Sequence, residues 1–240
     1  MCGISTLINL DRTMADKEIV HSMNRLIYHR GPDDEGVKIN GCVGLGHRRL
    51  SILDLSEAGH QPMSKFNYDL IFNGEIYNYL ELKEELIKDY DLSFSSNTDT
   101  EVLLAAYKVW GKKCVDKFNG MWAFVIHDHE KNQLFCSRDR FGIKPMVYGI
   151  IDQQFLIASE IKQFKAHHSF KAKLNQKVAF NFLHNNLLNY SEETFFEGIQ
   201  ELRGGHNLNF DLNTMQYEIE KWYTLALSSS KSSYTQAKAN

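Results

Sequence analysis

Short apolar or alternating stretches recur along this 240-residue chain, joined by polar turns too brief for a crossover, so that strands meeting at those turns must pair antiparallel. The strongest signal is Asn40-Gly41, a two-residue turn between the strand-like runs 36–40 and 42–52. Further strands are expected at 2–10, 68–73, 121–128, 133–138, 146–150, 155–158, 207–211 and 216–222. The three prolines, Pro32, Pro62 and Pro145, fall between periodic stretches and never inside one.

Helical spacing enters at a few places. Ile19, Val20, Met23, Leu26 and Ile27 mark an amphipathic helix that ends before Gly31-Pro32, and Tyr79, Leu82 and Leu86 mark a second over 78–90. Thr98 followed by Glu101 fits a capping box for a third helix over 102–110, with Gly111 placed to stop it. Shorter helices are expected near 160–165 and 176–186. The pattern ends at Tyr223, so residues 1–223 read as one domain and 224–240 as a polar, serine- and lysine-containing linker or the start of something further.

Composition narrows the function classes. With 43% hydrophobic residues the chain can bury a substantial core, and a net charge of −3 gives no footprint for nucleic acid. No apolar stretch reaches the length of a membrane helix and no signal peptide opens the chain, so a cytoplasmic location is expected, without membrane contact. Cys2, Cys42, Cys114 and Cys136 form neither a C-x-x-C pair nor a dense framework, and the ten histidines show no helical metal-pair spacing. Disulfides and a metal site are therefore not expected, and the histidines read as surface or core residues.

Cys2 carries the sharpest chemical signal. Removal of Met1 would put a thiol and a free α-amine on one residue, and an amine of pKa about 8 can take the thiol proton near neutral pH. The other candidates are ambiguous from spacing alone. The segment 30–36 (RGPDDEG) is an ordinary acidic turn, and Arg49 lies at a strand end, where it could grip a carboxylate or simply face water. Asn73-Gly74-Glu75 favours a hairpin turn, although an Asn amide beside a glycine N–H would suit an oxyanion. Asp99 is fully explained by a helix dipole unless that helix start faces a pocket. The charged segment 138–145 (RDRFGIKP) is expected to hold an internal ion pair under the site.

Taken in order, CGI at 2–4, HRGPDDEG at 29–36, GHRRLSILDLSEAGHQPM at 46–63, FNGEIYNY at 72–79, TDTEV at 98–102 and RDRFGIKP at 138–145 resemble the glutaminase half of glutamine-hydrolysing asparagine synthetases. The resemblance implies a class II glutamine amidotransferase of α+β class, with the N-terminal-nucleophile hydrolase fold: a four-layer αββα sandwich with two antiparallel sheets. It implies that Cys2 attacks the side-chain amide of L-glutamine with its own amine as base, and that Asn73 and Gly74 form the oxyanion hole. Arg49 would then hold the substrate carboxylate, Glu75 and Asp99 its ammonium, and the backbone of Leu50, Ser51, Ile52 and Leu53 would line the pocket. The pyrophosphate loop of the synthetase half does not occur in these 240 residues, so no cofactor is expected here. ATP and magnesium would belong to a C-terminal synthetase domain or partner that accepts the ammonia, with aspartate or a sugar acid as the acceptor. A non-catalytic glutamine-binding or docking module is the alternative, and a homodimer is compatible with either.

Overall fold

The computed structural model describes residues 1–52 and 57–226. Leu53 and nearly all of the polar segment 224–240 lie outside the described residues. In chain order the elements are β1 (Gly3–Asn9), α1 (Lys17–Leu26), β2 (Asp34–Asn40), β3 (Val43–Arg49), β4 (Met63–Lys65), β5 (Tyr68–Ile76), α2 (Tyr79–Tyr90), α3 (Asp99–Trp110), α4 (Cys114–Lys117), β6 (Gly120–Asp128), β7 (Gln133–Arg138), β8 (Val147–Ile151), β9 (Gln154–Ala158), α5 (Gln176–Asn185), β10 (Ile199–Glu201), β11 (His206–Asp211) and β12 (Gln216–Lys221). Among the described residues every strand pair is antiparallel, the hairpins β2–β3, β4–β5, β6–β7, β8–β9 and β11–β12 because their connections are short.

Two six-stranded sheets form, ordered β10-β8-β9-β1-β3-β2 and β12-β11-β7-β6-β5-β4. Successive side chains on a strand point to opposite faces, and β1 shows the consequence. Its Ile4 and Ile8 point between the sheets and meet Val125, Cys136 and Phe210, whereas Leu7 points outward and packs with Val20 and Met23 of α1 and with Phe164. On β5, Ile71 joins the layer between the sheets, while Leu70 and Phe72 face Leu82, Leu86 and Leu103 of α2 and α3. Three apolar layers between four layers of structure therefore make the expected αββα sandwich. Trp122, fully buried, stacks on Trp222 and donates its indole N–H to Ser137 Oγ at 3.0 Å. That bond lets an aromatic ring with a polar handle enter the core without an orphaned donor.

Local chemistry sets the ends that matter for the site. Thr98 caps α3 by accepting the Glu101 N–H, but Glu101 does not return the bond expected of a capping box. Its carboxylate instead gathers the N–H groups of Ser95 and Ser96 and the Lys65 ammonium, which hold it well below the usual range, at about 2. The loop before α3 is thereby tied to the helix it introduces. β4, β10 and α4, each three or four residues long, are too short for periodicity to reveal. Among the described residues no helix is long and apolar enough to cross a membrane.

Candidate active site

Cys2 stands just before β1, an inner strand of its sheet, and is partly buried. Its Sγ lies 3.3 Å from the Leu50 N–H and 3.6 Å from the Leu50 carbonyl, immediately after β3. Burial pushes the thiol pKa up; the Leu50 N–H, the terminal ammonium, Lys144 and Arg49 pull against it. Such a thiol rests protonated and needs a base before it can attack. The Cys2 carbonyl accepts Arg30 Nε at 2.8 Å, and Arg30 is itself buried and paired with Glu160 at 2.9 Å. The backbone that carries the nucleophile is thus anchored by a guanidinium fixed at its other end.

The segment 29–36 is more than an acidic turn. Gly31 accepts Arg48 Nε through its carbonyl, and a Cβ placed on it would lie 2.4 Å from the Arg48 carbonyl carbon. Asp33 receives the Ser51 N–H at 2.8 Å, and its own N–H reaches the Arg49 carbonyl. The residues that follow Arg49 are therefore held from both sides. Arg49 is buried, only 8% exposed, so it is no solvated strand-end cation, and Gly59 sits so close that a Cβ there would meet the guanidinium at 2.0 Å.

Asn73, Gly74 and Glu75 lie inside β5, paired with Ala123, Trp122 and Met121 of β6, which corrects the hairpin-turn expectation. The turn formers are there for another reason: a Cβ on Gly74 would meet the Met121 carbonyl at 2.3 Å and Trp122 Cα at 2.8 Å. Alternate N–H groups of a strand share one edge. On the edge of β5 away from β6, the Phe72 N–H goes to Gln61 Oε1 at 2.6 Å and the Ile76 N–H to Asp99 Oδ2 at 2.9 Å. The Gly74 N–H falls between these two, beyond the end of β4, and opens on the pocket. Asn73 is 1% exposed, and its Nδ2 has no hydrogen-bond partner in the structure. A buried amide donor left without an acceptor costs about 1–3 kcal/mol, a cost that an oxyanion in the pocket would recover.

Asp99 opens α3 against this edge. Burial is the main influence on its carboxyl and raises it to about 6, with the Glu75 charge adding to the rise and the Ile76 and Thr100 N–H groups opposing it. The pocket is lined by Cys2, Arg49, Leu50, Ile52, Gly59, Gln61, Phe72, Gly74, Glu75 and Asp99, together with Thr98 and Thr100. Among the described residues that line it are one cation, Arg49, and two carboxyl groups, Glu75 and Asp99, charges of both signs such as an amino-acid zwitterion carries. Of the expected residues, Asn73 sits behind Gly74, Ser51 contributes its backbone to Asp33 and not to the pocket wall, and Leu53 lies outside the described residues.

Sequence reasoning missed Arg30, Asp33, Gly59 and Gln61 as parts of this architecture. The segment 138–145 also departs from expectation. Arg138 pairs with Glu201 at 2.6 Å, outside the segment, and also donates to the carbonyls of Gly142, Lys144 and Leu202. Asp139 collects the N–H groups of Trp122, Phe141, Ile143 and Lys144.

Comparison with known proteins agrees with this geometry. A glutamine amidotransferase domain model matches residues 1–223. Asparagine synthetase [glutamine-hydrolyzing] 1 of Bacillus subtilis (strain 168) is 42% identical over 193 residues, covering 76% of this chain and 30% of that protein. Asparagine synthetase [glutamine-hydrolyzing] 3 of the same organism is 36% identical over 225 residues, covering 90% and 36%. The chain thus spans about a third of the length of these two relatives. Among solved structures, the glutamine phosphoribosylpyrophosphate amidotransferase of B. subtilis superimposes with a TM-score of 0.69 at 18% identity, over 93% of this chain and 50% of that one. Its likeness shows the shared N-terminal-nucleophile hydrolase fold. The chain belongs to the glutamine amidotransferase family, as a class II glutaminase domain similar to those of the glutamine-hydrolysing asparagine synthetases.

Proposed function

We propose that the pocket hydrolyses L-glutamine to L-glutamate and ammonia through a thioester on Cys2. Arg49 receives the substrate α-carboxylate and Asp99 with Glu75 the α-ammonium, which directs the side-chain amide towards Sγ. Met1 precedes Cys2 in the chain, and its removal supplies the α-amine that takes the thiol proton. The thiolate then adds to the amide carbon, forming the C–S bond and moving the carbonyl pair onto oxygen, where the Gly74 N–H and Asn73 Nδ2 meet it. The ammonium returns its proton to the nitrogen, which leaves as ammonia when the carbonyl reforms. Water, deprotonated by the same amine, cleaves the thioester and releases glutamate.

The convergence of a terminal cysteine, an open strand-edge N–H and a charge pair suited to a zwitterion in one pocket is the observation that supports this reading. We further propose that the ammonia passes to an acceptor carboxylate, aspartate being the one the relatives' names imply, and that ATP and magnesium act in a synthetase region outside this domain. Steady-state assays of glutamate and ammonia release test the hydrolysis. Turnover of glutamine well above asparagine, lost in Cys2→Ser, supports it; a Cys2→Ser protein with unchanged turnover overturns it.

A further inference from the structure

Asp69, His127 and His129 gather at the other end of β5, four residues from Asn73 and about 13 Å along the strand. Asp69 and His127 face each other across the β5–β6 pair, on the side directed between the sheets, and both are almost fully buried. His129, just past β6, turns back so that its Nε2 lies 2.9 Å from Asp69 Oδ2, with its ring centroid 4.2 Å from that of His127. One donor atom from each of the three lies within 4.8 Å of the others, so that side-chain rotations closing these separations to roughly 3.4 Å would hold a tetrahedral ion about 2.0–2.2 Å from each.

Two further observations point to a ligand. The His127 ring is 4% exposed, yet its Nδ1 has no hydrogen-bond partner in the structure, an uncommon state for a buried imidazole. Asp69 is also oriented as a ligating carboxylate would be: Lys38 Nζ and Ser64 Oγ, each at 2.6 Å, occupy Oδ1 and leave Oδ2 facing the histidines. Asn40 of β2 lies 3.3 Å from His129 Nδ1. An amide flip there would accept the Nδ1–H that a ring ligating through Nε2 carries.

We propose that Asp69, His127 and His129 bind a divalent cation of the zinc class. Two imidazoles and one carboxylate suit a borderline ion and leave a fourth position for water. The ion would replace the proton now shared between His129 and Asp69. Because Lys38 and Asn40 come from one sheet and the three ligands from β5 and its neighbour in the other, it would fasten the sandwich at the end opposite the catalytic pocket.

Chelator-stripped Cys2→Ser protein, which lacks the terminal thiol as a competing ligand, is titrated with Zn²⁺ alone by calorimetry and with Co²⁺ alone by absorption spectroscopy. The expected result is one ion per chain, visible Co²⁺ bands of four-coordinate intensity without thiolate charge transfer, and a melting temperature raised by Zn²⁺. Adding His127→Gln or His129→Gln should weaken binding by at least about tenfold and remove the rise in melting temperature that Zn²⁺ gives over the same variant's metal-free value. If His127→Gln does not fold, His129→Gln carries the test, since its ring is partly exposed. Absence of stoichiometric binding, or affinity unchanged in the folded histidine variant, overturns the proposal.

Discussion

Asp99 Oδ2 accepts the Ile76 N–H at 2.9 Å, which pins the first residue of α3 to β5 two positions beyond Gly74. A carboxyl held there is removed from water with no ligand present, and its pKa of about 6 follows from that burial. The proposed contact of the glutamine ammonium with this group requires the ionised form. KM should rise as pH falls below about 6, and in Asp99→Asn it should be higher throughout and lose this dependence, with a weakening of about 1.5–3 kcal/mol for a charge-assisted contact. KM measured from pH 5 to 8 for both proteins checks this.

The same shift has a stability consequence of opposite sense. A carboxyl whose pKa is raised on folding favours the native state fully below its unfolded value near 3.8, and that advantage is lost as pH rises through about 6. Asp99→Asn should therefore be more stable than wild type at pH 7, by on the order of 1–3 kcal/mol, with the difference closing towards pH 4. Urea denaturation at the two pH values measures it.

Asn73→Ala removes a buried donor that has no hydrogen-bond partner in the structure and that the proposed mechanism assigns to the oxyanion. Its kcat should fall about 10²-fold or more with KM little changed, because the interaction belongs to the transition state. Steady-state kinetics separate this from loss of substrate binding, which would raise KM instead.

Gly74→Ala forces a methyl against the backbone of β6 at Met121 and Trp122, where nothing flexible can yield. A loss of about 1–3 kcal/mol in stability is expected, together with activity lower than in wild type even where the variant remains folded. Thermal denaturation and turnover at a temperature well below the transition check the two parts.

Arg30→Met should lower kcat more than it raises KM, since Arg30 fixes the Cys2 carbonyl and is not among the residues that line the pocket. Reaction of Cys2 with a small alkylating agent, followed across pH, would show a displaced nucleophile directly; a merely destabilised protein would keep the wild-type profile.

Much of the hairpin structure was legible because such pairing is local: a two-residue turn joins β2 to β3, although it is Gly41-Cys42, one residue later than the expected Asn40-Gly41, with Asn40 paired to Val43, and Gly111 ends α3 at a φ of +57°. What spacing misread was Asn73-Gly74. Both residues favour turns in isolation, and only the approach of Met121, nearly fifty positions later, explains a glycine inside a strand. The motif blocks revealed the pocket where single residues could not, since Cys2, Arg49, Gly74 and Asp99 are brought together by pairings across both sheets. Arg30 and Asp33 escaped because the groups they hold at the site, the Cys2 carbonyl and the Ser51 N–H, are backbone groups, which leave no trace in residue type. The buried meeting of Asp69, His127 and His129 escaped for a related reason, as its spacing is set by strand register and not by a helix turn.

Intact-mass measurement of the purified protein, before and after exposure to a glutamine analogue bearing an electrophile in place of the side-chain amide, tests the central claim most directly. The account predicts a mass lower by one methionine, a single adduct that peptide mapping places on Cys2, and protection by excess glutamine. A chain that retains Met1 and still turns over glutamine, or an active chain with no adduct on Cys2, would contradict it.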